Sequence, residues 1–368
     1  MIDRSQFQKA FAPLHASSDT LSEVYKVVRK ESKHHHHPIS KGVLIAAVLA
    51  MCITVAAATG IANLIKANVT AADGVTAADL HAFSSDSIGS DTPIITDNSG
   101  QVLNLPRMER VSTDAATMQR LVGDYLSTVD ATVEAEGYTI SLETFLIDEN
   151  GSGFLTYTLS NPDGVTYEEA GYGQVTTPMN PVLYISEVDG LAMDSNTYLD
   201  TAASTDTALH LVLYFSDFGH WQKGDDLLFV VNNWSDADRR AISITPRAYL
   251  PVTVFTDAAG DTLRLSTLGI RVDAPAASMG KTSEVRITEL ALHMTDGSEY
   301  VVESESANIM NWVIGLLSIN DDGACTGNGY SFNRLVDVDA VRSITAEGHY
   351  STGPHFDNAI NFSSTYTH

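Results

Sequence analysis

Three hydrophobic periodicities succeed one another along this chain. In residues 1–41, Phe7, Phe11 and Leu14 form one stripe at helical spacing. Leu21, Val24, Tyr25 and Val28 form a second, behind Ser18 or Asp19 as N-cap. Two short amphipathic helices are predicted, and 41 residues offer no core of their own in which to bury them. From Val43 to Ile65 the polar positions disappear: the 23 residues between Gly42 and Lys66 carry no charge. As a helix rising about 1.5 Å per residue they reach about 34 Å, enough to cross a hydrocarbon core of about 30 Å. Residues 42–66 are therefore expected to form a transmembrane helix. The competing readings are a signal peptide cut near Ala56-Ala57-Ala58 and a lipoprotein site at Cys52. Neither fits as well, because the leader is long and Met51 stands where a small residue is wanted before Cys52.

Beyond Lys66 the chain is rich in Ala, Asp, Ser, Thr and Gly as far as Leu105, and residues 67–110 read as a stalk. Met118, Leu121, Val122, Tyr125, Leu126 and Val129 then recur at helical spacing behind Thr113 or Asp114, predicting a helix of about four turns over 113–129 that covers a sheet. After it the period falls to two. Thr139–Asp148 and Phe154–Ser160 flank an Asn-Gly turn, a hairpin signature. Leu209, Leu211, Leu213 and Phe215 alternate with His210, Val212 and Tyr214. Leu227–Val231, Ala241–Thr245, Leu250–Thr256 and Leu263–Val272 follow at the spacing of sandwich strands, and Val285–Met294 pairs with Glu299–Glu303 across Thr295–Ser298.

Charge orients these pieces. The chain holds 21 Lys+Arg and 46 Asp+Glu; residues 1–41 carry 7 and 4 of them, leaving 14 and 42 and a net of −28 on the rest. No Lys or Arg stands between Lys66 and Arg107. By the positive-inside tendency the amino terminus is cytoplasmic and everything past residue 66 is extracytoplasmic, at the cell membrane. The expected fold is thus mainly β: short cytoplasmic helices, one transmembrane helix, then one helix and two β-sandwich-like extracytoplasmic units, 111–255 and 256–368. The outer part is expected to fold from about residue 105. So acidic a domain argues against nucleic-acid binding. With Cys52 in the span and Cys325 outside, no disulfide framework is available.

Candidate chemistry is sparse. HExxH, CxxC, P-loop and GxSxG motifs are missing, and His210, His220, His293, His349 and His355 lack ligand spacing. Ser278-Met279-Gly280-Lys281 has the SxxK form but sits in a turn-rich stretch, where that chemistry needs the Ser at a helix start. Asp321-Asp322-Gly323 opens a loop with Phe332 where a calcium loop closes on Glu, and reads as a turn. His34–His37 read as a polar flank of the span. The sequons at Asn68, Asn150, Asn233 and Asn361 read as incidental in a bacterial protein. No catalytic residue, cofactor or metal is expected. The candidate site is a partner-binding one, formed by Phe7, Phe11, Leu14, Leu21, Val24, Tyr25 and Val28, in the manner of a helix laid in a groove.

LHASSDTLSEVYKVVRK, the single span, GYTISLETFLIDENGSGFLTYTLS, LRLSTLGIRV and NRLVDVDAVRSITAEG together resemble bacterial membrane-anchored anti-sigma-factor-like proteins with an extracytoplasmic β-rich domain of unknown function. The resemblance covers most of the chain. It implies a partner, an extracytoplasmic-function sigma factor held at the membrane by the cytoplasmic helices. The His-Cys-Cys zinc motif of the better-known anti-sigma domain is absent before residue 42. The alternative is a membrane-tethered surface binding module without a transcriptional role. The ligand of the outer domain is not legible.

Overall fold

The computed structural model describes residues 64–71, 105–109, 113–185, 191–217, 220–231, 239–274, 284–319, 325–351 and 359–368. The predicted cytoplasmic helices and most of the predicted span lie outside these residues. Among those described, no helix is long and apolar enough to cross a membrane.

The last three residues of the expected span are a strand. β1 (Leu64–Lys66) runs parallel to a later strand, and after one buried residue, Ala67, β2 (Asn68–Ala71) joins a different sheet. The expected stalk accordingly does not begin at residue 67: Val69 is buried in a core. The reason is local, since Asn68-Val69-Thr70 alternates apolar with polar as a one-faced strand does. Helix α1 is likewise shorter than its stripe suggested, Ala115–Val122, capped by the Asp114 carboxylate, which accepts from Ala116 N at 3.1 Å and Thr117 N at 3.0 Å. Gly123 and a single 3-10 turn end it, and β3 (Ser127–Ala135) begins. There Val129, Ala131, Val133 and Ala135 are buried while Asp130, Thr132 and Glu134 are exposed, so period-two alternation overrides the helical spacing of Val129.

The first unit continues with β4 (Tyr138–Ile147) and β5 (Ser152–Ser160), the small pair β6 (Glu168–Glu169) and β7 (Val175–Thr176), and β8 (Val182–Ile185) and β9 (Leu191–Ala192). β10 (Asp194–Thr205), β11 (Ala208–Ser216), β12 (Leu227–Val231) and β13 (Arg240–Ile244) complete it. A five-stranded sheet, β1-β13-β12-β8-β9, faces a six-stranded one, β10-β11-β5-β4-β3-β2. Their inner faces share one core, in which Tyr157 of β5 meets Phe229 of β12 edge to face at 5.5 Å. This is a β-sandwich, and the β1–β2 segment belongs to both of its sheets.

The second unit is a ten-stranded sheet rather than two facing ones. Its strands are β14 (Thr253–Thr256), β15 (Thr262–Leu265), β16 (Gly269–Asp273), β17 (Glu284–Met294), β18 (Glu299–Ser304), β19 (Ile309–Met310), β20 (Trp312–Ile319), β21 (Cys325–Phe332), β22 (Val341–Ser351) and β23 (Ile360–Thr367). The order is β19-β18-β17-β22-β23-β14-β15-β16-β21-β20. The sheet curls until it nearly closes: Asn328 Nδ2 on β21 donates to Val285 O on β17 at 2.9 Å, and Tyr300 meets Phe332 edge to face at 5.5 Å. The run Leu263–Val272, expected as one strand, is the hairpin β15–β16 with its turn at Ser266–Leu268.

A third apolar cluster joins the units. Met118, Val122 and Leu126 from the helical segment pack with Leu146, Phe154, Tyr198 and Tyr214 of the six-stranded sheet and with Leu268, Val313, Ile314 and Leu335 of the curled sheet. Residues 105–109 lie along the second unit: Arg107 N donates to Asn308 O at 2.7 Å and Met310 N to Arg107 O at 2.9 Å, while Tyr172 of the first unit donates to Pro106 O.

Candidate functional site

Every residue that the sequence nominates for partner binding, Phe7, Phe11, Leu14, Leu21, Val24, Tyr25 and Val28, lies outside the described residues. So do His34–His37, Ser278–Lys281 and Asp321–Gly323. Of the histidines described, His210 sits 3.7 Å from Glu143, His220 3.4 Å from Asp217 and His293 3.1 Å from Glu299, on separate surfaces. Among the described residues no group of three His, Cys, Asp or Glu is arranged to hold a metal ion. The sequon asparagines Asn68 and Asn361 are exposed, whereas Asn150 keeps its Nδ2 buried.

Two polar features that the sequence did not single out stand out, one at the contact between the units and one on the second unit. The first is a buried carboxylate. The β4–β5 turn wraps around Asp148, whose Oδ1 accepts from Asn150 N and Ser152 N, both at 2.8 Å, while Oδ2 accepts from the Ser266 hydroxyl of the β15–β16 turn at 2.5 Å. Gly151 makes the turn possible: it has φ +88°, and a Cβ there would lie 2.7 Å from Asp217 O. A chain of hydroxyls crosses the same contact, Ser216 to Ser152 at 2.8 Å and Ser331 to Ser152 at 3.3 Å. Asp148, Ser152, Ser216, Ser266 and Ser331 are all buried. Burial pushes the Asp148 carboxyl up to about 6, against the four hydrogen bonds that favour its charge. A buried polar network of this kind stabilises only when each member is paired, so it fixes one relative placement of the two turns.

The second feature opens to solvent. On the outer face of β15–β16, a groove of about 260 Å³ is lined by Thr262, Arg264, Arg271, Asp273 and Thr326 together with Gly260, Asp261 and Ala274. The apolar alternates Leu263, Leu265, Ile270 and Val272 point into the core, which sends the polar alternates outward. Asp273 holds the arrangement: it accepts from Arg271 Nε at 3.0 Å and from the Thr262 hydroxyl at 2.9 Å, and lies 3.5 Å from Arg264 Nη2. Arg271 is the more buried arginine, and desolvation, with Arg264 beside it, lowers its pKa against the pull of Asp273. Asp217 of the first unit adds its field. The available signal was the Ser266-Thr267-Leu268-Gly269 break: once LRLSTLGIRV is folded at that turn, Arg264 falls opposite Arg271.

No family model matches the chain, and no curated protein matches it in sequence. Among solved structures it is similar to the conserved domain protein from Bacillus anthracis, at 10% sequence identity and a TM-score of 0.35, over 66% of this chain and 90% of that one.

Proposed function

We propose that the protein is a single-pass membrane protein whose cytoplasmic helices bind an extracytoplasmic-function sigma factor, and whose extracytoplasmic β body senses or responds to the envelope. One observation carries the reading. The end of the 23-residue uncharged stretch is already part of the body: Leu64 and Ile65 lie in β1, parallel to β13, and β2 follows antiparallel to β3. The chain leaving the apolar segment is thereby fastened into both sheets of the sandwich, so that the anchor and the core of the outer body move together. The charge asymmetry across the apolar stretch and the resemblance in sequence to membrane-anchored anti-sigma-factor-like proteins support the same reading.

Protease added to intact protoplasts should remove the body and leave a small membrane fragment; a soluble mature protein beginning near Thr59 would establish cleavage instead. For the cytoplasmic side, Leu21→Asp with Tyr25→Ala removes two apolar anchors, each contributing roughly 1.5–3 kcal/mol if fully buried. That loss should take a micromolar complex beyond detection at about 1.4 kcal/mol per tenfold. Undiminished co-purification of the sigma factor with the double variant would sink the transcriptional role. The second reading, a tethered surface binding module, is favoured by the arginine-lined groove and would then stand.

A further inference from the structure

Arg264 of β15 and Arg271 of β16 are register partners. Side chains directly opposite across antiparallel strands have Cβ atoms roughly 4.5–5.5 Å apart, and like charges placed so destabilise the pair. The chain holds only 21 cationic residues against 46 acidic ones, yet two of the 21 are set opposite each other here. The positions around them are cleared. Gly329 is the β21 partner of Arg271 and Gly327 that of Asp273, and a Cβ on Gly327 would lie 2.3 Å from Val272 O. On the other side Val254, the β14 partner of Arg264, is half exposed.

Asp273 pairs closely with Arg271 and at longer range with Arg264, and Arg271 Nη2 also donates to the Thr326 hydroxyl at 3.5 Å. Asp273 spends its oxygens on Arg271 Nε and the Thr262 hydroxyl, and reaches Arg264 only at 3.5 Å. The Arg264 side chain remains 41% exposed, its planar fork facing the groove that it lines. A guanidinium matches the two oxygens of a carboxylate or phosphate bidentately, and two converging guanidinia do so from two sides. Asp261 in the lining and the field of Asp217 from the first unit limit the charge that is welcome, which favours one anionic group over a polyanion. At about 260 Å³ the groove is below the usual range of roughly 300–1,000 Å³ for whole small molecules, so it suits a head group or a chain end.

We propose that this groove binds a single oxyanion group, a carboxylate or a phosphate, with Arg264 as its principal donor, Arg271 held in place by Asp273 as the second, and the Thr262 and Thr326 hydroxyls beside them. The site gives the outer body a ligand class, and the inference stands apart from membrane topology and from the cytoplasmic partner.

The test uses the full chain in detergent micelles. Thermal unfolding is followed while inorganic phosphate or sodium acetate is raised against sodium chloride at matched ionic strength. Phosphate or acetate should raise the melting temperature saturably above the chloride baseline. The anion that half-saturates at the lower concentration identifies the source as phosphate or carboxylate. Arg264→Gln should raise the half-saturating concentration about tenfold or more, and Arg264→Lys, which keeps the charge but not the fork, should fall between. Arg264 is partly exposed, so both variants are expected to keep the wild-type circular dichroism spectrum. No rise above chloride with either anion, or an undiminished rise in Arg264→Gln, overturns the proposal.

Discussion

Burial removes the Asp148 carboxylate from water and leaves it with a pKa of about 6 in the folded protein against 3.8 as its ordinary value. The folded state therefore holds the proton more tightly. The stability that this carboxyl supplies is fully present below the unfolded value and is lost as pH rises through about 6, by about 3 kcal/mol at most. Asp148→Asn fits the same turn, since one oxygen can take both backbone N–H groups, and it does not titrate. Relative to wild type the variant should gain stability between pH 4 and pH 7 by up to that amount, read from urea denaturation of residues 64–368; a difference that stays level with pH would refute the assignment. At Gly153 a Cβ would lie 2.3 Å from Leu146 O and 2.4 Å from a Phe215 ring carbon. Gly153→Ala should cost about 1–3 kcal/mol in the same measurement. Little of this was visible in sequence. Asp148 reads there as an ordinary turn residue, because its burial is created by Ser266, 118 positions away.

The strands were largely legible where alternation was clean and flanked by turn residues. β4, β5, β11, β17 and β18 lie where the period of two placed them, for the physical reason that a face of each is buried, whereas β12, apolar and buried at every position, was placed by strand spacing. The errors came where a stripe satisfies two periods, as at Met118–Val129, or where a turn is apolar enough to hide inside a run, as at Ser266–Leu268. Residues 64–71 escaped because Leu64–Lys66 continue the apolar run and residues 67–71 resemble a linker in composition, while their pairing is set by sheets formed far away. This corrects where an independently folding body starts. A segment beginning at residue 105 lacks the strand that buries Val69 and Ala67, whereas one beginning at residue 64 keeps it. The shorter segment should unfold at lower urea concentration, with Val69→Asp in the longer one reproducing the loss; equal midpoints for the two segments would show that β1 and β2 contribute nothing.

Taken whole, the described residues form two β units joined by an apolar cluster, a buried carboxylate and an ion pair between Arg120 and Asp337 at 2.8 Å. The ion pair is exposed and contributes little, about 0–1 kcal/mol, so the cluster does most of the joining. Calorimetry of residues 64–368 should show one transition. Phe154→Ala, in the middle of the cluster, should cost about 3–5 kcal/mol and separate the melting of the two units; a single, merely lowered transition would mean that they are coupled elsewhere. The border expected near residue 255 falls inside β14, a strand of the curled sheet, and nothing in the sequence indicated that Met118, Tyr198 and Val313 would meet.

Residues 105–109 lead to a different kind of consequence, one of timing. They precede α1 in the chain; Pro106 O meets Tyr172 early, yet the segment's other partners come far later, Asn308 and Asn311 at 203 and 202 positions and Asn333 and Arg334 beyond them. At roughly 5–20 residues per second, synthesis leaves this segment waiting on the order of 10–40 s for its counterpart. Closing so long a loop costs only slightly more than closing a short one, about 0.6 kcal/mol per doubling, so the delay carries little penalty at equilibrium. The first sandwich can be complete while Met108, buried at the end, still lies bare. Chains halted before about residue 311 should therefore be cut by protease near Met108, and full-length chains should resist cutting there.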